Sequence, residues 1–134
     1  MREILFRGKI ISLDKSCGNW IFGDLNHYSC DDGLFIAESA CSMHRIDKIT
    51  VGQYTGMKDI KDKKIFEGDI VKFKRVNALG YTTNRVGDVQ YYDELPIFYI
   101  YANTGDAWDW VDCEEIEVIG NIHDNPELME RECD

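Results

Sequence analysis

Val51-Gly-Gln-Tyr54-Thr-Gly56-Met-Lys-Asp59-Ile-Lys-Asp-Lys-Lys64-Ile-Phe66-Glu67-Gly68-Asp69-Ile-Val71-Lys-Phe73 is the stretch whose reading decides the fold. Gly52, Gly56 and Gly68 punctuate it, and glycine supplies backbone conformations that other residues avoid. The charged run over residues 58–64 has almost no apolar content and reads as an exposed loop. Ile65-Phe66 begins a short extended segment. Glu67-Gly68-Asp69 is turn chemistry: Gly for positive φ, Asp to bond back to the local backbone. Ile70, Val71 and Phe73 then resume an apolar strand with β-branched residues. The expected unit is a turn, a tight hairpin and the first strand of a small β-barrel.

Working outward, residues 3–13 are rich in Ile, Leu and Phe, with Gly8 as a bulge or bend. Cys17-Gly18-Asn19 reads as a turn, residues 20–25 as a second strand and 32–36 as a third. Beyond the opening stretch, residues 77–84 are polar and turn-rich. Residues 85–92 alternate as a strand, 97–101 form another, and Asn103-Thr-Gly-Asp106 is a tight turn. Trp108 and Trp110, two apart, share one side of a strand. Residues 116–122 make the last strand. Asn125-Pro126-Glu127 starts a short helix, with Asn as N-cap and Pro at the first position. A Gly-Asp pair ahead of a Val-rich strand suits an SH3-like barrel. The expected fold is therefore mostly β: an N-terminal antiparallel β extension over residues 1–49, then an SH3-like small barrel with a C-terminal helix over 50–134. The barrel strands run over roughly residues 50–122, and the two parts make one compact unit.

The 134 residues carry a net charge of −10, unevenly spread. Residues 106–134 hold eleven acids against one base, Arg131, whereas residues 58–75 hold seven bases against four acids. Such runs commonly serve as solvated faces. The sharper readings are a basic edge for nucleic acid and an acidic face for a basic partner. No apolar run approaches the length of a membrane span, and the start lacks a secretory pattern. A bacterial cytoplasmic location without membrane contact is expected. Five cysteines, odd in number and with no Cys-x-x-Cys, fit free thiols in a reducing compartment. His27-x-x-Cys30 and Cys41-x-x-His44 form a mirrored set of four zinc-type ligands. Zinc knuckles more often carry Cys-x-x-Cys on one arm, so packing and surface roles are preferred. No metal or cofactor is expected.

Three blocks of the chain resemble the YopX family of bacteriophages and prophages. They are the opening Arg-Glu-Ile-Leu-Phe-Arg-Gly-Lys, the block from Thr50-Val-Gly-Gln-Tyr-Thr-Gly56 through Lys64-Ile-Phe-Glu-Gly-Asp-Ile-Val71, and the closing Glu117-Val-Ile-Gly-Asn-Ile-His-Asp-Asn-Pro-Glu-Leu128. Order and spacing of the three agree with the family. Met57 departs from the usual Leu, Asp62 lies near a usual Asn-Gly turn, and His123 replaces a common aromatic. The resemblance implies a mostly β protein encoded by a phage or prophage. It brings no catalytic residues.

The residues themselves give little support for catalysis. There is no Gly-rich phosphate loop, no His-Glu-x-x-His helix and no nucleophile elbow. Asp109 and Asp112 form a conceivable carboxylate pair for metal-assisted hydrolysis, but a polar strand edge accounts for them better. The expectation is a non-catalytic accessory module that binds a protein partner or self-associates as a homo-oligomer through its acidic end and strand edges. The alternative is a nucleic-acid module. Lys61, Lys63, Lys64, Lys72, Lys74 and Arg75 would contact phosphates, and Tyr91, Tyr99 or Trp108 would stack on bases. The net negative charge opposes that alternative at long range.

Overall fold

Short apolar alternations broken by Gly, Asn and Asp turns make the chain mostly antiparallel β, as expected. The computed structural model describes residues 3–12, 17–27, 33–39, 41–76, 79–80, 82–94 and 96–130. Its strands are β1 (Phe6–Ile11), β2 (Cys17–His27), β3 (Leu34–Ser39), β4 (Ser42–Ile46), β5 (Gly52–Lys58), β6 (Lys64–Phe66), β7 (Asp69–Val76), β8 (Thr82–Tyr92), β9 (Ile97–Ala102), β10 (Ala107–Trp108) and β11 (Glu114–Asn121). They fall into two units, Met1–Gly56 and Met57–Asp134. The opening stretch contributes to both.

In the first unit β1 pairs with β2, β2 with β3, and β3 with β4. β4 returns to β1 through Ile10 opposite Ile46, so the ring of pairings closes. β5 extends β1, with Gln53 opposite Phe6 and Gly52 opposite Arg7. Ile21, Ile36 and Ile46 form the buried centre, packed by Phe6, Ile10, Leu25, Leu34 and Val51. Gly8 serves this core by its size. A Cβ there would lie 2.8 Å from the Ile46 Cδ1 atom, and the irregularity of β1 falls between Lys9 and Ile11 instead. Cys17-Gly18-Asn19, expected as a turn, lies inside the long β2. The stretch before β5 is bonded to β1. Lys9 N–H donates to the Thr50 hydroxyl at 2.8 Å, and that hydroxyl donates to the Asp47 carbonyl at 2.6 Å.

In the second unit five strands form an antiparallel sheet in the order β10-β9-β8-β7-β11. The expected barrel is here an open sheet, with β10 and β11 at its edges. Ile65, Val71, Phe73, Val89, Ile100, Ala102 and Ile116 are its buried core. Gly87 has no room for a side chain: a Cβ would sit 2.6 Å from Ile100 Cγ2. Trp108 and Trp110 both pack on this core, but not from one strand. The chain leaves the sheet after Trp108, and Trp110–Asp112 is a 3-10 turn. The segment expected to begin a helix is likewise a single 3-10 turn, Pro126–Met129, with Glu130 already extended. One turn leaves too few residues to offset helix nucleation. The Asn125 side chain does not cap it; its Oδ1 accepts from the Asn121 N–H at 3.2 Å.

Two carboxylates organise the signature stretch in this unit. Asp59 is buried and accepts three backbone N–H groups. Lys61 and Lys63 donate to Oδ1, and Val118 of β11 donates to Oδ2, each at 2.9 Å. Asp59 N–H also donates to the Lys63 carbonyl at 2.8 Å, which closes the loop. Asp62 takes the left-handed conformation at its tip, with φ 64°. Asp is among the few side chains that tolerate this region. The other carboxylate, Asp69, is 2% exposed and accepts from Phe66 N–H at 2.8 Å across the Glu67-Gly68 turn. Gly68, with φ 92°, donates its N–H to Val89 and accepts from Ile122. The turn is thus fastened to β8 and to the residue after β11.

Burial raises the pKa of Asp59, but the bonds from Val118, Lys63 and Lys61 outweigh it and hold the carboxyl below its ordinary 3.8. A depressed folded pKa stabilises the fold above the unfolded value, and this contribution is lost as pH falls below 3.8 through the folded pKa. Replacement of Asp59 by Ala strands these donors. It is expected to cost about 3 kcal/mol in urea unfolding at pH 7, with Asp59→Asn losing about 1 kcal/mol because one acceptor remains. The gap between wild type and Asp59→Asn should narrow as unfolding is repeated toward pH 3.

Candidate functional site

Strand alternation puts Lys72 and Lys74 of β7 on the sheet face opposite Val71 and Phe73. The register carries the same face across β8 as Asn84, Val86, Asp88, Gln90 and Tyr92, and across β9 as Ile97, Tyr99 and Tyr101. At β11 the alternation is broken on purpose. Glu114 is opposite Lys74 and Glu117 opposite Lys72, so β11 spends three residues where β7 spends two. Glu115 is the extra residue and has φ 51°. Regular alternation would already put Glu115 and Glu117 on one face; the bulge adds a residue between the two pairings, and the Glu115 carboxylate still reaches Lys74.

The result is a lattice of opposite charges. Glu117 bridges two lysines: Oε1 lies 2.8 Å from Lys61 Nζ, and Oε2 lies 3.0 Å from Lys72 Nζ. Its side chain is only 11% exposed, although both lysines reach solvent. Glu115 Oε2 is 2.8 Å from Lys74 Nζ, and this pair is open to water. Bonds from Lys61 and Lys72 pull the Glu117 pKa below 4.5. Bonds to Glu117 and Glu115 raise the pKa values of Lys61 and Lys74 respectively. An open groove of about 540 Å³ runs over this region, lined also by Asn84, Arg85, Asn103 and Thr104.

The remaining candidate residues are dispersed. Arg75 stacks over Trp108, with its guanidinium carbon 3.8 Å from the ring centroid. Trp108 therefore already carries a cation and also packs on the core. Lys63 uses its backbone and its charge on Asp59. Lys64 begins β6 and is half-buried. Tyr91 lies on the core side of β8 by alternation and meets Phe98 edge-on at 5.3 Å. The basic residues thus do not line up with the aromatic ones as a phosphate track beside a stacking platform.

The two histidines of the zinc-type set sit on different strands of the first unit. His27 of β2 pairs with Leu34, and His44 of β4 pairs with Ile36. β3 runs between them, a lateral separation of about 9–10 Å. His44 Nε2 is 3.4 Å from the Ser42 hydroxyl, and Cys41 is exposed. Cys30 lies outside the described residues. Among the described residues, no three His, Cys, Asp or Glu side chains are grouped to hold a metal. Burial, reinforced by Asp112 and Asp109, pushes the Cys113 thiol up to about 11, so it is protonated at neutral pH.

A second groove, of about 460 Å³, occupies the β9–β10 end of the same face. Tyr92, Ile97, Tyr99, Tyr101, Ala107 and Trp108 form its body, with Asp109 and Asp112. Its exposed aromatic surface follows from alternation along Ile97-Phe98-Tyr99-Ile100-Tyr101, in which Ile100 goes inward. That alternation was readable in the sequence, but its pairing with Tyr92 needed the register. Asp88, buried nearby on β8, has its pKa raised by desolvation; a 3.0 Å bond from the Gln90 amide opposes this.

These features sit in a chain that a family model matches over residues 11–130, under the description YopX protein. The chain belongs to the YopX family. A comparison with curated proteins finds no match. Among the described residues, no helix is long and apolar enough to cross a membrane.

Neutralisation of the lysines by β11 has a direct consequence. The wild-type chain is expected not to shift a single-stranded DNA probe at about 50 mM salt, whereas Glu115→Gln with Glu117→Gln should free Lys61, Lys72 and Lys74 and create binding that fades by about 200 mM. Gel shifts across salt check it, with circular dichroism to confirm the fold. Equal binding by both forms would show that the glutamates do not mask the lysines.

Proposed function

We propose that this YopX-family chain is a phage- or prophage-encoded accessory protein that acts without catalysis, by binding another protein. The observation that carries this reading is the pairing of Lys61, Lys72 and Lys74 with Glu117 and Glu115. It removes much of the local positive charge that a polyanion would need, in a chain whose net charge is already −10. Asp109 and Asp112, beside Tyr92, Tyr99 and Tyr101, form an acidic and aromatic surface, a combination suited to a basic protein partner. Tyr91, Tyr92, Ile97 and Tyr101 are each about two-fifths exposed. The protonated Cys113 thiol and the separation of His27 from His44 give no activated nucleophile or base among these groups. The short sheet edge at β10 would also suit contact with a partner strand.

Affinity capture from nuclease-treated bacterial lysate, with the full chain immobilised, tests this reading. A protein retained in near-stoichiometric amount is expected, and it should be released as salt rises. Recovery of nothing, or of nucleic acid only when nuclease is omitted, would overturn it.

A further inference from the structure

We propose that the β9–β10 groove is a seat for an arginine side chain presented by an extended, basic segment of a partner protein. This deepens the protein-binding reading and rests on it. Tyr92 and Tyr99 stand nearly perpendicular, with planes at 87° and centroids 6.2 Å apart. Two rings at right angles make the corner of a cage, and the face of each carries the negative lobe of its quadrupole. Tyr101 continues the wall along β9, 41% exposed. The Tyr99 ring is held in place, because its hydroxyl donates to Gln90 Oε1 at 2.8 Å.

Charge selects the ligand. Asp109 and Asp112 line the groove, and among the described residues no basic one does. Tyr92 donates its hydroxyl to Glu94 Oε2 at 3.1 Å, which adds a third carboxylate to the neighbourhood. An anionic or neutral ligand would leave these carboxylates uncompensated, while a cation meets both the carboxylates and the ring faces. The groove also stands next to an instance of the same chemistry. Arg75 of this chain lies over Trp108 at 3.8 Å, and Trp108 is one of the residues lining the groove. A guanidinium is planar and stacks on aromatic faces while bonding carboxylates through its edge, which a lysine ammonium cannot do.

Size points to a segment instead of a lone ion. A volume of about 460 Å³ is in the range that holds a small ligand. The neighbouring residues of the segment would lie on Ile97 and Ala107, the apolar part of the lining. β10 is a two-residue strand, opposite only Tyr101 and Ile100, so the sheet edge beside the groove is short and leaves access from that side.

The test uses the full chain, labelled with nitrogen-15, and two synthetic pentapeptides that differ only in a central arginine or citrulline. Citrulline keeps the planar shape and loses the charge. The arginine peptide is expected to bind about tenfold more tightly and to shift amide signals of Tyr92, Tyr99 and Tyr101. Tyr101→Ala should weaken it about tenfold, and so should the pair Asp109→Asn with Asp112→Asn, all at exposed positions where the fold is retained. Glu38→Gln, exposed on β3 of the first unit, should change nothing. Equal binding of the two peptides, no binding of either, or indifference to both groove variants would each overturn the arginine seat. If lysate capture succeeds while the peptide fails, the protein-binding reading stands and the partner uses another surface. If both fail, that reading falls as well.

Discussion

The second unit depends on one buried carboxylate. Asp59 gathers the N–H groups of Lys61 and Lys63 into its own loop and, through its other oxygen, takes the N–H of Val118. One side chain thereby forms the lysine loop and fastens it to the last strand. Lys61 is then delivered to Glu117, which also holds Lys72. Glu115, in the β11 bulge, completes the arrangement by reaching Lys74. Exposed ion pairs contribute little singly. The significance of these pairs is that the most basic stretch of the chain is folded onto its most acidic strand.

Several residues of the central and closing family blocks have a structural explanation. Thr50 bonds the end of its 3-10 turn to β1. Gly68 and Asp69 make a turn that is bonded to three surrounding segments. In the closing block, Asn121 Oδ1 accepts from His123 and Asp124 N–H, and Asn125 Oδ1 returns to Asn121 N–H. Gly120 is needed there, because a Cβ would lie 2.6 Å from Asn125 Oδ1. These residues account for their own presence by folding.

The turn chemistry was legible because it is local. Gly68, Asp69 and the Asn103-Thr-Gly-Asp106 turn, where Gly105 has φ 94°, occur where glycine and aspartate demanded them. β8, β9 and β11 likewise fall on the segments expected as strands, 85–92, 97–101 and 116–122. Ser42–Ile46 was not legible as a strand, because Met43, His44 and Arg45 are all exposed and show no period of two. The Cys17-Gly18-Asn19 turn failed for the converse reason: hairpin pairing with β1 outweighed the turn preference of these residues. The candidate site was the least legible part. Lysine density marks a segment as basic, but its neutralisation comes from Glu115 and Glu117, more than forty residues away in sequence from most of those lysines. The antiparallel pairing of β7 with β11 decides it, and strand pairing has no composition signature of its own. Asp109 and Asp112 read as a polar strand edge, and only the register of β8 with β9 brings Tyr92, Tyr99 and Tyr101 together near them.

The central claim is that Glu117 is a shared counter-ion for the lysine loop and β7. A carbon-13 NMR titration of its side-chain carboxyl from pH 2 to 7 tests it most directly. A midpoint below the ordinary 4.5 is predicted, moving up toward that value in Lys61→Ala and further with Lys72→Ala added. A wild-type midpoint at or above 4.5, unmoved by loss of either lysine, would contradict the account.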